Sequence, residues 1–222
     1  MYEWDIIIII NIHIGLIFTH QIHTLKTKIT LGEPWSCHTQ RCLVLNTAMG
    51  GSIFEMVTLG NKYNLNPIYA MEGYIVADAN TKDNGNYHIM IIPRNNEARK
   101  KLNLASSRAN MFGYYYKPRL FLEDLLKFNK DDFYLTTACC GGLLKNKDSF
   151  NDIFLPLYEH FKENILLEVQ THNVDSQKRI NERALKLSKM LGLKIIHAND
   201  SHYIYPEDAK DRLVMLEGKG IT

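Results

Sequence analysis

The segment HANDSHYIYPEDAKDR (residues 197–212) sets Asp200 and His202 two residues apart, after the apolar run LGLKII and before a helix opened by Pro206. A carboxylate and an imidazole leaving a buried strand are either a capping arrangement or part of a site. Similar residues recur along the chain. His13 follows a long apolar run, Glu72 stands inside YAMEGYIV, His88 opens HIMIIP, Cys139 ends FYLTTAC and His172 closes LLEVQTH. Imidazole, thiolate and carboxylate are ligands of Zn²⁺, and Mn²⁺ or Fe²⁺ take sets rich in oxygen and nitrogen. Taken singly, each has an ordinary explanation. A lone His is usually a satisfied core or surface residue, and Cys139 beside Cys140 suits a small buried hydrophobe. Glu72 is harder to dismiss, because an unpaired carboxylate in an apolar strand is costly. Jointly, the residues make a metal site a candidate beside the ordinary readings.

Seven strand-like runs would position them: Asp5–Ile14, Arg41–Leu45, Pro67–Val76, His88–Pro93, Phe133–Ala138, Ile165–Gln170 and Lys194–Ala198. Helical patterns lie between most of these. In SFNDIFLPLYEHFKEN, Phe150, Ile153, Phe154, Leu157, Tyr158 and Phe161 share a face, Ser149 is placed as N-cap, and Pro156 should kink the helix. In DSQKRINERALKLSKMLG, Ile180, Ala184, Leu187 and Leu191 form the apolar stripe, and Gly192 fits the position just past the end. EARKK (97–101) reads as an exposed helix face, and ADANTKDNGNY (77–87) is the one clear polar loop. Repeated β-then-α units predict a parallel sheet with helices outside, here a distorted (β/α)7 barrel forming a single domain over residues 1–222. In such a barrel, chemistry collects at the carboxyl ends of the strands, where these His, Cys, Asp and Glu residues stand.

The chain has 222 residues, 45% hydrophobic and 23% charged, as in ordinary globular proteins. A net charge of +2 supplies no bulk basic field for nucleic acid. The run IIIIINIHIGLIF (6–18) falls short of the ~20 residues a bilayer requires and is interrupted by Asn11 and His13, so no membrane span is expected. Four cysteines (37, 42, 139 and 140) form no disulfide framework or CxxC pair, which fits a cytoplasmic setting. In YYYKPRL (114–120), Lys117 and Arg119 flank a proline and are candidates for phosphate contact or for structural roles. His20, His23, His38 and His160 are expected to be solvated.

YHIMIIPRNNEARKKLNLASSRANMFGYYYKPRL, LTTACCGG, LEVQTHNVDSQKRINERAL and ANDSHYIYPEDAKDR, taken in order, resemble the PHP (polymerase and histidinol phosphatase) domain of bacterial DNA polymerase III alpha subunits. Agreement runs from about residue 52 to 216, whereas residues 1–50 are divergent. The resemblance implies a distorted barrel of seven β/α units whose rim holds up to three metal ions. Active members are phosphoesterases, some of them 3′–5′ exonucleases; others have lost the metals and act as structural platforms. By resemblance, Glu72, His88 and Cys139 match the ligands of one ion, and Asp200 and His202 match the closing Asp-x-His pair.

Departures fall near the amino terminus. The family opens with two His separated by one residue; here His13 is followed by Gly15. An Asp expected seven residues beyond the second His is Ile22, and the family's Thr-Asp-His-Gly reads LNTA, with Asn46 and Thr47 in place of Asp and His. The resemblance therefore implies one whole ion position (Glu72, His88, Cys139), a partial one (His13, Glu72, Asp200) and a third reduced to little beyond His202. One or two Zn²⁺ or Mn²⁺ ions are expected, with weak or absent catalysis and no polymerase site. Expected partners are the remainder of a replicative polymerase, other replisome subunits or single-stranded DNA. The competing readings are an active metal-dependent phosphoesterase and a histidinol-phosphatase-like enzyme acting on a small molecule. YYYKPRL and HYIYPEDAKDR argue against the second of these.

Overall fold

The computed structural model describes residues 8–12, 41–47, 57–58, 61–62, 66–78, 80–82, 85–198, 200 and 206–218. Its centre is a sheet in the order β1 (Ile8–Ile12), β2 (Arg41–Thr47), β3 (Asn66–Val76), β4 (Tyr87–Pro93), β7 (Phe133–Thr136), β8 (Ile165–Gln170) and β9 (Ile195–Ala198). A ribbon of β5 (Tyr114–Tyr115) and β6 (Lys117–Phe121) joins through β6 to β3. The helices are α1 (Asn96–Met111), the short α2 (Leu122–Leu125), α3 (Leu155–Phe161), α4 (Asp175–Leu191) and α5 (Ala209–Gly218).

The expected all-parallel sheet is corrected to a mixed one. β4 runs antiparallel to both neighbours, β3 and β7, while the other central pairs are parallel. The cause is local. Parallel strands need a crossover of a dozen or more residues, usually helical, and the polar loop between Val76 and Tyr87 is too short for one. That loop turns on Asp78, whose side chain accepts from Asn80 N at 2.8 Å and whose carbonyl accepts from Thr81 Oγ1 at 2.8 Å. It closes a hairpin in place of a β/α unit. β1 and β9 approach within 8 Å (Cα–Cα), but no ladder joins them among the described residues.

Strand alternation separates two faces. Ile75, Ile89, Ile91, Phe133, Leu135, Ile165 and Leu167 lie on the face covered by α1, by α3 with the turn before it, and by α4, which contribute Leu102, Ala105, Phe154, Leu157, Phe161, Ile180 and Ala184 to one core. The opposite face holds a small apolar layer of Ala70, Met90, Ile92 and Ala198, with Ile68 and Tyr134 against it. Glu72, His88, Thr136, Glu168 and Gln170 share the parity of that second face.

α4 matches its expected stripe, and Gly192 terminates it at φ 69°, a left-handed conformation that costs glycine little. The helix at 149–164 differs. Asn146, rather than Ser149, supplies the cap: its Oδ1 accepts from Ser149 N at 2.9 Å. A π-helical turn, Ser149–Phe154, precedes α3, so Pro156 falls in the first turn of α3, where its missing N–H is tolerated. His160 is also not simply solvated, since Nε2 lies 2.7 Å from Phe128 O. Among the described residues, no helix is long and apolar enough to cross a membrane.

Candidate metal rim

β3 and β4 bring Glu72 and His88 together because the hairpin register sets Tyr74 opposite His88 and Glu72 opposite Met90, on one face. Glu72 Oε1 lies 3.1 Å from His88 Nδ1. Cys139 arrives from the loop after β7, and its Sγ is 3.4 Å from the same nitrogen. His88 is the hub of this arrangement. Its backbone N–H donates to Gly141 O at 3.0 Å, tying the ACCGG loop to β4. The ring of Tyr74 packs edge-on against the imidazole at 4.9 Å.

The loop is tightly folded. Gly142 N donates to Cys139 O at 2.8 Å and Leu143 N to Thr137 O at 3.1 Å. A Cβ on Gly142 would stand 2.0 Å from Thr137 O, so only glycine fits. Ala138 is held at φ 55°, a conformation that non-glycine residues rarely adopt. Hydrogen bonding between the two thiols holds the Cys139 proton on and makes Cys140 the more acidic member. Burial adds to the first effect, and Ser176 and His88 add to the second. Asp200 is near enough to raise the proton affinity of both cysteines, which puts it in the same electrostatic neighbourhood.

Two donors on one tetrahedral Zn²⁺ stand about 3.3–3.6 Å apart, given metal–ligand distances near 2.0–2.3 Å. The separations at Nδ1 come within a few tenths of an ångström of this, and the N, O and S donor set suits zinc. The residues therefore fit a borderline metal in type and spacing. Among the described residues, however, no three such side chains surround a common point as a finished cage. Glu72 and Cys139 instead meet at His88 Nδ1. Gln170 Oε1 is buried and finds no donor among the described residues, as expected of an acceptor completed by water or an ion.

The other predicted residues divide. His13 and His202 lie outside the described residues. His172 is exposed beyond β8 and takes no part in the contacts at His88. Lys117 is exposed, with Nζ 4.1 Å from the centre of the Tyr74 ring, one side chain away from His88. Arg119 takes the structural one of its two expected roles: it is 2% exposed and donates to Gly113 O at 2.9 Å and Thr81 O at 2.7 Å, so its guanidinium ties α1's end to the 77–82 loop.

Glu168 is the polar residue that the sequence reading passed over. It is 1% exposed, and burial pushes its carboxyl up to about 7 despite hydrogen bonds from Thr136 and Gln170. The signal was available, since LLEVQ sets a carboxylate in an apolar strand just as YAMEGYIV does.

This fold, a helix-covered mixed sheet with O, N and S donors at one end, defines an α/β domain with a metal-site-like rim. The PHP domain model matches residues 38–172. DNA polymerase III subunit alpha of Borreliella burgdorferi is 33% identical over 175 residues, covering 72% of this chain and 15% of the relative. That of Helicobacter pylori is 31% identical over 187 residues, covering 76% and 15%. The chain belongs to the PHP domain family and is homologous to DNA polymerase III alpha subunits, though it spans only about 15% of their length. A solved Bifidobacterium adolescentis structure described as a metal-dependent phosphoesterase shares the fold, with a TM-score of 0.53 at 11% identity, covering 90% of this chain and 88% of that one.

Proposed function

We propose that this chain is a polymerase-type PHP domain, single over residues 1–222, whose rim binds one or two Zn²⁺ or Mn²⁺ ions and whose hydrolytic power is impaired. Glu72, His88 and Cys139 would hold the tighter ion; Asp200, with His13 and His202, would serve weaker positions. The observation that carries this reading is the meeting of a carboxylate and a thiol at His88 Nδ1. Such ions activate water and offset charge on phosphoryl oxygens, and polynuclear hydrolysis needs a clamp on both the attacking and the leaving oxygen. Here the chain lacks the matching side chains at Gly15, Ile22, Asn46 and Thr47. In backbone register Thr47 stands directly opposite Glu72, so one loss falls beside the surviving set.

The approach of β1 to β9 supports closure of the sheet as a distorted barrel. The domain's role would be structural within a larger cytoplasmic replicative polymerase, or towards other replisome subunits. Single-stranded DNA is the substrate to test. Exposed Phe112, Tyr114 and Tyr116, at the end of α1 and on the ribbon, support a surface that meets another molecule.

The test is elemental analysis of purified protein together with a 3′–5′ exonuclease assay on single-stranded DNA with Mn²⁺. At most two ions and little or no cleavage are expected, with metal content reduced in Cys139→Ala and His88→Ala. Robust cleavage abolished by both substitutions would establish an active phosphoesterase instead. Cleavage surviving both would come from a contaminating nuclease.

A further inference from the structure

Beneath the rim lies a hydrogen-bonded set that the proposed ligands do not use. Glu168 Oε2 accepts from Thr136 Oγ1 at 2.7 Å, and Oε1 accepts from Gln170 Nε2 at 2.7 Å. Glu168 N donates to Thr137 Oγ1 at 2.9 Å. A hydroxyl has one proton to give. Thr136 gives its proton to Glu168, which turns a lone pair toward Ala138, whose N–H donates to Thr136 Oγ1 at 3.1 Å. Ala138 is the residue at φ 55°, and the next residue is Cys139. The chain of contacts therefore runs from a buried carboxyl through one hydroxyl to a strained peptide, and from there to the thiol facing His88.

A buried carboxyl is a costly way to fill space. Ala70, Met90 and Ala198 share its face and show that apolar residues suit this layer. What Glu168 adds over an apolar residue is the acceptor that orients Thr136. We propose that Glu168, acting through Thr136, is a positioning residue that holds the Ala138 turn and so aims Cys139 Sγ at His88 Nδ1. This rests on the reading of Cys139 as a metal ligand.

The orphan Gln170 Oε1 adds a discriminating consequence. In Glu168→Gln, the new amide oxygen can still accept from Thr136. Its NH₂ would face Gln170, whose side-chain amide can flip to present Oε1 as acceptor. Glu168→Gln should therefore keep the latch, whereas Glu168→Leu and Thr136→Val break it.

The experiment titrates the full chain with Co²⁺, following the near-ultraviolet thiolate-to-cobalt band, alongside melting temperatures. Wild type should show a band that Cys139→Ala removes. Thr136→Val and Glu168→Leu should weaken Co²⁺ binding about 10-fold or more and diminish the band per bound ion, as loss of outer-shell partners does. Thr136→Ser and Glu168→Gln should restore both. Ile180→Val, in the helix-side core, should lower the melting temperature and leave the band unchanged. A wild-type affinity and band in Thr136→Val overturn the positioning role alone, and loss of the band in Thr136→Ser or Glu168→Gln does the same. A wild-type protein without a band dependent on Cys139 overturns the ligand reading and the positioning role with it.

Discussion

On the helix side of the sheet, Phe133, Leu135, Ile89 and Ile91 pack against α1, α3 and α4 in a continuous apolar core. On the other side, the sheet carries four buried apolar residues and a row of polar ones. β7 shows the contrast within four residues: Phe133 and Leu135 face the helices, while Thr136 reaches Glu168. The helix-side face gains stability from apolar burial. The opposite face accepts a buried carboxyl, a left-handed alanine and a glycine with no room for a methyl group, close to where Glu72 and Cys139 meet His88. Strain and buried polarity of this kind, outside the main core, mark the face where function is sought.

Substitutions on the two faces test that contrast. The largest effect is expected at Phe133, which is fully buried and stacked on Phe128 at 4.5 Å. Phe133→Ala should cost about 3–5 kcal/mol in urea unfolding, with residual metal binding wherever the chain remains folded. A loss below about 1 kcal/mol would mean that the helix side does not dominate stability.

Glu168 should impose a pH dependence of the opposite sense to most carboxylates. Its folded pKa of about 7 lies above the ordinary value of 4.5, so the folded state holds the proton more tightly. Its contribution to stability is fully present below about pH 4.5 and is lost as pH rises through 7. The loss is on the order of 3 kcal/mol. Glu168→Gln should flatten the curve between pH 5 and 8 and be the more stable protein at pH 8. An unchanged slope in chemical unfolding would show that Glu168 is ionised in the fold at neutral pH.

Gly142→Ala forces a methyl group onto Thr137 O. It should cost about 1–3 kcal/mol, the range for strained or overpacked positions, and reduce Co²⁺ binding more than an equally destabilising helix-side variant does. Metal binding that merely tracks stability would remove the distinction between the faces. The smallest effect is expected at Lys117. Its ammonium is exposed above Tyr74, so Lys117→Ala should change stability by less than about 0.5 kcal/mol. Any weakening of single-stranded DNA binding by this variant would then report on the ligand surface alone.

Hydropathy marked every strand of the central sheet to within about two residues where it is described, because alternating or continuous apolar runs carry their own signal. It also marked α4 and its glycine stop. The short ribbon at 114–121 escaped, since strands of two and five residues, the second interrupted by Pro118, resemble a turn. Glu72, His88 and Cys139 could be picked out together by residue type and family resemblance. Arg119 could not be sorted in the same way. A guanidinium bonded to two carbonyls and one awaiting a phosphate have the same sequence.

Residue types and their local order mark which side chains could be ligands, where the strands lie and that the 77–87 loop is polar. Each of these depends on residue type or on neighbours within a few positions. Long-range pairing, by contrast, makes β4 run backwards and brings Glu72 and Cys139 to the same nitrogen of His88. It also sets Glu168 behind Thr136 and Ala138. Those outcomes depend on strand register and loop length acting together. A one-residue change in either would turn the same side chains to the other face of the sheet.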